Sequence, residues 1–345
     1  MSSGLTNYKL LSGFDDPLIS SVLWNDLLRI GSSDVIFMTW QWQKTWWEVF
    51  GRGQLLLVLV EDDGKPIAIA PLFADSGMIY FVGSGSSDYL DFIGNLVDAK
   101  IVDGILHFTK KLVPDFQGFC FYHILEKSKT VNIISEINLS NKWEFHDEGC
   151  MPAPLLRIKA FPEQAQRATR KKSLLRHENW FKKNGELKIE HLSSKGEILP
   201  HLDKFFNQHI NRWSATSFPS LFLDKKQQLF YQNLVNIVSD CGWLRFTIVW
   251  WRDNPVSYHF GFNYKGSFIW YKPTFDISLS QYSPGEVLIR QLLLKAIEED
   301  AEIFDFGLGD EDFKKRFATN LRTVKNCGVY PYYNKQLPIN LLELS

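Results

Sequence analysis

The chain holds 345 residues, of which 45% are hydrophobic, 15% aromatic and 22% charged; this fills one or two ordinary domain cores and excludes a disordered or low-complexity protein. Thirty-eight Lys and Arg against thirty-nine Asp and Glu leave a formal charge of −1, which excludes the uniformly basic field of a dedicated nucleic-acid binder. Four cysteines (Cys120, Cys150, Cys241, Cys327) stand far apart with no CxxC pair, so neither structural zinc nor a disulfide-stapled fold is indicated and a reducing cytoplasm is the expected location.

From Met1 to Asp16 no basic region leads into an apolar stretch, and the longest apolar run nearby, Leu55 to Val60, is far short of a membrane span. A protein without signal peptide or integral membrane segment is expected. Next come Trp40, Trp42, Trp46 and Trp47. At helical spacing Trp42 and Trp46 share one face, which predicts core packing for that pair rather than a ligand-stacking cluster. The apolar runs Gln54 to Glu61, Pro66 to Phe73 and Met78 to Val82, joined by tight turns, predict an antiparallel meander. A helix from Asp98 to Val113 and a strand from Gly118 follow.

The same order returns later: strands from Trp243, Val256 and Ser267, a helix from Pro284 to about Asp300, and a strand from Glu302. Sliding one copy by 189 residues aligns Gly53 with Gly242, Pro66 with Pro255, Phe73 with Phe262 and Gly77 with Gly266. The pattern predicts two α/β (α+β) domains in tandem, 1–150 and 151–345, each a mixed, largely antiparallel sheet with helices on its face. The boundary is placed where Cys150-Met-Pro-Ala-Pro is expected to interrupt regular structure. Between the copies, residues 166–188 carry eight Lys and Arg against two Glu, either a solvated helix face or a patch for phosphates, an anionic glycan or RNA.

Ser283-Pro284-Gly285-Glu286 is the sharpest local signal. Ser suits an N-cap, Pro the first helical position, and Glu three residues after Ser completes a capping box. The helix start could hold phosphates of a ligand, with small Gly285 allowing close approach, or be a capped helix and nothing more. Asp305 alternates with Phe304 and Phe306, so its carboxylate points away from both rings, as a paired structural anion or into a site. Lys314 follows a Gly-rich loop, where an ammonium can stabilise an oxyanion or lie on the surface. His259 in a strand could serve as general base and Tyr271 at a strand end as acid, or both could be packed structure. No serine-hydrolase, zincin, P-loop or dinucleotide-binding motif stands in a suitable setting, and no metal site is indicated.

Phe37-MTWQWQKTWWEVFG, Pro71-Leu72, Ser87-Asp-Tyr-Leu-Asp91, His209-Ile-Asn-Arg212-Trp213, Tyr282-SPGEVL and Phe304-DFGLGDEDFKKRFA together resemble the CelD/BcsL-type members of the GNAT acyltransferase superfamily, associated with cellulose and other exopolysaccharide biosynthesis. These are similar in turn to the Fem-type aminoacyl transferases, which hold two GNAT-like domains in tandem. The resemblance implies transfer of an acyl group to an amine or hydroxyl on a sugar or glycan precursor, with acetyl-CoA or another acyl-CoA as donor, its pyrophosphate at Ser283, Pro284 and Gly285. The usual glycine-rich loop is reduced here to Gln281-Tyr-Ser-Pro-Gly-Glu. Phe313-Lys314 matches a Phe-Lys pair that acts near the acyl group in the Fem-type proteins.

The expected reaction is direct attack by an amine on the acyl carbonyl. Lys314 would stabilise the oxyanion, Asp305 or His259 would accept the proton, and Tyr271 would bound the acceptor. Arg212, Asp88, Tyr89 and Asp276 complete the expected acceptor site. Two alternatives stand beside this one: a Fem-like enzyme using aminoacyl-tRNA, the one case in which nucleic acid is a partner, and a catalytically silent binding subunit of a polysaccharide assembly. The oligomeric state is not specified by the sequence.

Overall fold

The structure is a computed structural model that describes residues 6–96, 98–138 and 143–332. In chain order its elements are β1 (Thr6–Leu10), α1 (Ser21–Ile30), α2 (Trp40–Phe50), β2 (Gln54–Asp62), β3 (Lys65–Asp75), β4 (Met78–Phe81), β5 (Ile93–Gly94), α3 (Ala99–Leu112), β6 (Gly118–Leu125) and α4 (Thr130–Asn138). Then follow β7 (Trp143–Arg157), α5 (Pro162–Thr169), α6 (Lys172–Asn184), β8 (Leu187–Leu192), α7 (Lys195–Ile198), α8 (Leu202–Trp213) and α9 (Lys225–Val238). The chain closes with β9 (Leu244–Trp251), β10 (Asn254–Tyr264), β11 (Ser267–Phe275), α10 (Pro284–Glu298), β12 (Ile303–Asp305), α11 (Asp312–Lys315) and β13 (Asn320–Pro331).

The chain divides into two compact units: unit 1 holds residues 6–151 and 323–332, and unit 2 holds Pro152–Arg322. In unit 1 the strand order is β1-β2-β3-β4-β6-β13, with β5 on β3; in unit 2 it is β8-β9-β10-β11-β12-β7. Both sheets are antiparallel apart from one parallel pair each, β4 with β6 (Met78 opposite Gly118) and β11 with β12 (Ser267 opposite Ile303). The two α/β units expected from the sequence, each with a mixed, largely antiparallel sheet, are therefore present.

The 189-residue repeat is kept to the residue. Asp75 faces Met78 across the β3–β4 turn, and Tyr264 faces Ser267 across the β10–β11 turn. The turns explain the register. Asp63-Gly64, Ser76-Gly77, Arg252-Asp253 and Lys265-Gly266 all have positive φ, between 46° and 81°, the two-residue type I′ geometry that matches the twist of paired strands. Gly266 has φ 76°, and a Cβ there would stand 2.9 Å from the Glu302 side chain. Gly266→Ala is expected to cost about 1–2 kcal/mol, the strain of a left-handed alanine. Urea unfolding measures it, and an unchanged midpoint would remove the turn from the list of register-setting features.

The sixth strand of each sheet was not legible beforehand. Residues 155–157 of β7 pair with β12, and Val324–Val329 of β13 pair with β6. Cys150-Met-Pro-Ala-Pro does not interrupt regular structure but lies inside the 15-residue β7. The prolines are tolerated because their carbonyls, not their missing N–H groups, are used: Pro152 O accepts from Gly309 N at 2.9 Å and Pro154 O from Phe306 N at 3.1 Å. Residues 323–332, expected in the second domain, count with unit 1. The basic stretch is two helices, α5 and α6, broken at Arg170 and Lys171, and its cations lie mainly on the solvated face, with Arg167 on Glu163 and Lys182 on Glu178.

In unit 1, Trp42 is fully buried, its Nε1–H donating to Ser87 Oγ at 2.9 Å, and Trp46 is buried beside it. Trp40 and Trp47 stay partly exposed. In unit 2 the sheet has two covered faces. Phe246, Tyr258 and Phe260 meet Phe205 and Tyr231 of α8 and α9. On the other face, Val287, Leu288, Leu292, Leu293 and Ala296 of α10 pack with Phe268, Trp270 and Phe304.

Candidate functional site

Pairing between β11 and β12 stops at Ile269 and Asp305, while β11 continues to Phe275. Beyond that point the strands have no ladder to share, and a cavity of about 240 Å³ opens at the amino end of α10. Trp270, Pro273, Thr274 and Phe275 line it from β11, Gly285, Glu286, Leu288 and Ile289 from α10, Phe313, Arg316 and Phe317 from the segment after β12, and Arg212 from α8. Most of this lining is aromatic or aliphatic, with a few polar groups, the usual makeup of a small-molecule site.

The approach to α10 is fixed by Tyr282, whose ring stacks on Trp180 at 3.6 Å between centroids. Ser283 then takes a left-handed conformation (φ 56°, ψ 57°) and makes no side-chain cap. The expected capping box is absent. Ser283 N instead closes the preceding turn on Ser280 O at 3.0 Å, and the Glu286 carboxylate turns outward, Oε1 accepting from Arg316 at 3.0 Å. Glu286 Oε2 is buried and accepts no hydrogen bond from the described residues; His177 Nε2 lies 3.8 Å away. Arg316 also reaches Ser173 Oγ at 3.2 Å. The first turn of α10 thus borders the cavity without a side-chain cap.

Arg212 lies across the cavity. Its guanidinium donates to Pro273 O at 3.0 Å and stacks over the Phe275 ring at 4.2 Å. Burial pulls its pKa down to about 10.

Of the residues expected to form a site, the structure brings Arg212, Ser283 and Gly285 to one cavity, with Pro284 buried beneath it and its carbonyl accepting from Ser257 Oγ at 3.2 Å. The expected catalytic residues are elsewhere. Lys314 is buried with its ammonium held by Leu308 O and by Glu311 at 2.8 Å, so it ties down the Gly-rich loop instead of facing the cavity. Asp305 is a paired structural anion, accepting from Gly307 N at 2.9 Å and from Arg322 at 2.6 Å. Tyr271 alternates with Trp270 and packs to the opposite face, stacked near Tyr231. Asp276 caps the turn Ile277–Tyr282 by accepting from Ser278 N at 2.9 Å. Asp88 and Tyr89 belong to unit 1, where Tyr89 packs edge-on against Phe37.

His259 supports a bulge. Phe260 pairs with Lys272 but Phe262 with Ile269, so Gly261 stands opposite two residues, and the freed Tyr271 N–H donates to His259 Nε2 at 3.2 Å. A Cβ on Gly261 would fall 2.2 Å from the imidazole and 2.4 Å from Ile269 O, so glycine is required there. His259 is fully buried against Trp270, with its pKa pushed down to about 3 by burial. It packs in the core and is not among the residues that line the cavity.

Sequence reasoning gave Glu286 to a capping box and named Phe313 through the Fem-type match, but missed Arg316, Trp270 and Phe317 as walls of the cavity. The alternation along β11 could have assigned Trp270 and Tyr271 to opposite faces. The Glu286–Arg316 pair spans thirty positions and left no local signal. Among the described residues no group of three or more His, Cys, Asp or Glu could hold a metal ion, and no helix is long and apolar enough to cross a membrane.

Residues 168–315, which carry most of this cavity, match the family described as "Acetyltransferase (GNAT) domain". No curated protein matches the chain in sequence. Among solved structures, FemX superposes with a TM-score of 0.62 at 11% identity over 89% of this chain and 96% of its own. A conserved protein of unknown function from Bacteroides thetaiotaomicron gives 0.61 at 12% identity over 94% and 99%. A tandem GNAT protein from the clavulanic acid biosynthesis pathway gives 0.51 at 9% identity over 94% and 98%. At these identities the likeness is one of fold. The chain has the tandem GNAT fold, and residues 168–315 of unit 2 carry the match to the acetyltransferase (GNAT) domain.

Proposed function

We propose that unit 2 is an N-acyltransferase that passes the acyl group of an activated thioester or ester directly to an amine. The observation that carries this is the uncapped amino end of α10, open to an apolar cavity where β11 and β12 part. Trp270, Phe313 and Phe317 would exclude water from the acyl group, and the positive end of the α10 dipole would meet the oxyanion as the amine nitrogen bonds to the carbonyl carbon. Glu286, the one carboxylate lining the cavity among the described residues, would take the proton released by the amine before the leaving group departs. The acceptor amine is assigned to a sugar or glycan precursor on the strength of the CelD/BcsL-like motifs.

The residues present do not fit the pyrophosphate of coenzyme A at this helix start. Pro284 has no N–H, the Glu286 N–H is committed to Ser283 O at 2.9 Å, and the Glu286 carboxylate, though drawn to Arg316, still lines the cavity, where it repels a phosphate. The donor is therefore recognised by its acyl end. Incubation with D-glucosamine and either acetyl-CoA or the acetyl thioester of N-acetylcysteamine, which lacks all phosphates, should give N-acetylglucosamine at kcat/KM values within about threefold of each other. Mass spectrometry of the product provides the measurement. A hundredfold preference for acetyl-CoA would overturn the donor assignment, and no acylated amine from either thioester would overturn the transferase assignment.

A further inference from the structure

The cavity holds a charge without a counter-charge. Arg212 is half-buried, and its guanidinium touches the Pro273 carbonyl and the Trp213 and Phe275 rings. No carboxylate among the described residues forms an ion pair with it, whereas Arg316 opposite is matched by Glu286 at 3.0 Å. Buried cations in folded proteins are paired or bind ligands, because desolvation without compensation is costly.

We infer that Arg212 is the recognition site for a carboxylate carried by the substrate of unit 2. A guanidinium fork bonds a planar carboxylate through parallel N–H donors. The charges lining the cavity favour this anion over a phosphate: Arg212, Arg316 and Glu286 sum to a single positive charge, which one carboxylate neutralises and a phosphate dianion overshoots. The inference rests on unit 2 being an acyltransferase only for what the carboxylate is attached to, which is the transferred acyl group or the acceptor amine.

Direct binding tests the site apart from any reaction. Calorimetry with butanoate and with butanamide, equal in shape but not in charge, should give at least thirtyfold tighter binding of the acid. Arg212→Met should bring the two ligands within threefold and Arg212→Lys should give an intermediate ratio, with thermal unfolding confirming that each variant is folded. Equal binding of acid and amide to the wild-type chain, or a preference that survives in Arg212→Met, overturns the inference.

The source of the carboxylate is read by transfer. The succinyl and butanoyl thioesters of N-acetylcysteamine are compared with D-glucosamine as acceptor, and muramic acid is compared with D-glucosamine using the acetyl thioester. A succinyl preference places the carboxylate on the donor, and a muramic acid preference places it on the acceptor. Acyl transfer with neither preference overturns the substrate assignment. Absence of transfer while butanoate discrimination persists rejects the acyltransferase and leaves the anion site standing.

Discussion

Lowering the pH from 7 to 4 is expected to destabilise unit 2 by about 6 kcal/mol through two histidines, about 3 kcal/mol each. His259 and His209 both have pKa values near 3 in the folded chain against 6.5 for an exposed imidazole. Burial is the main cause for each, and for His209 the neighbouring charges of Lys272 and Arg212 push the same way. A depressed histidine pKa means that between about pH 6.5 and 3 the unfolded chain binds a proton that the folded chain refuses. Stability is therefore complete above pH 6.5 and falls as the solution is acidified through that window. His209 Nδ1 lies 2.8 Å from Ser220 Oγ, and His259 Nε2 receives the Tyr271 N–H, which requires that nitrogen to be unprotonated. Urea unfolding at pH 4, 5, 6 and 7 measures the slope. His259→Gln, which keeps an acceptor but does not titrate, should remove about half of it, and a slope equal to that of the wild type would refute the assignment.

Trp42→Ala should cost unit 1 about 3–5 kcal/mol, the range for deleting a large aromatic from a packed core. The ring is fully buried, lies edge-on to Phe37 at 4.8 Å between centroids, and donates from Nε1 to Ser87 Oγ. Its removal opens a cavity and takes the indole donor from the buried Ser87, two separate losses. Trp40→Ala, two positions away with a partly exposed ring, should cost less than half as much. Chemical denaturation of the two variants side by side provides the comparison, and equal losses would mean that the helical face does not decide which tryptophan carries the core.

How much of this was legible depends on whether the determinant is local. The repeat could be read because Gly and Pro at turns and alternating apolar runs are local, and the observed turns at Ser76-Gly77 and Lys265-Gly266 obey them. Arg212, Ser283 and Gly285 were picked out by motif and helix-start chemistry, and they do share a cavity. Lys314, Asp305 and His259 have residue types suited to catalysis, but type does not reveal a partner. Leu308 O, Arg322 and Tyr271 N, which hold the three in structural roles, are fixed by tertiary contacts and by a bulge. The capping box failed for a similar reason: Ser-Pro-Gly-Glu fits the pattern, yet Arg316, thirty residues on, draws Glu286 away from the helix start. The strands β7 and β13 carried too little alternation to be seen, and the prolines of β7 argued against it.

The exchange of sixth strands has a consequence for biosynthesis. The sheet of unit 1 is closed on one side by β13, with Val324 lying opposite Leu125, so a chain growing from its amino end presents β6 as an open edge while all of unit 2 is being made. Long-range closure of this kind is slow, and unpaired edges invite wrong partners. A fragment ending near residue 151 would keep that edge permanently, so the separately expressed amino-terminal half is a poor soluble reagent, whereas the intact chain supplies its own cover.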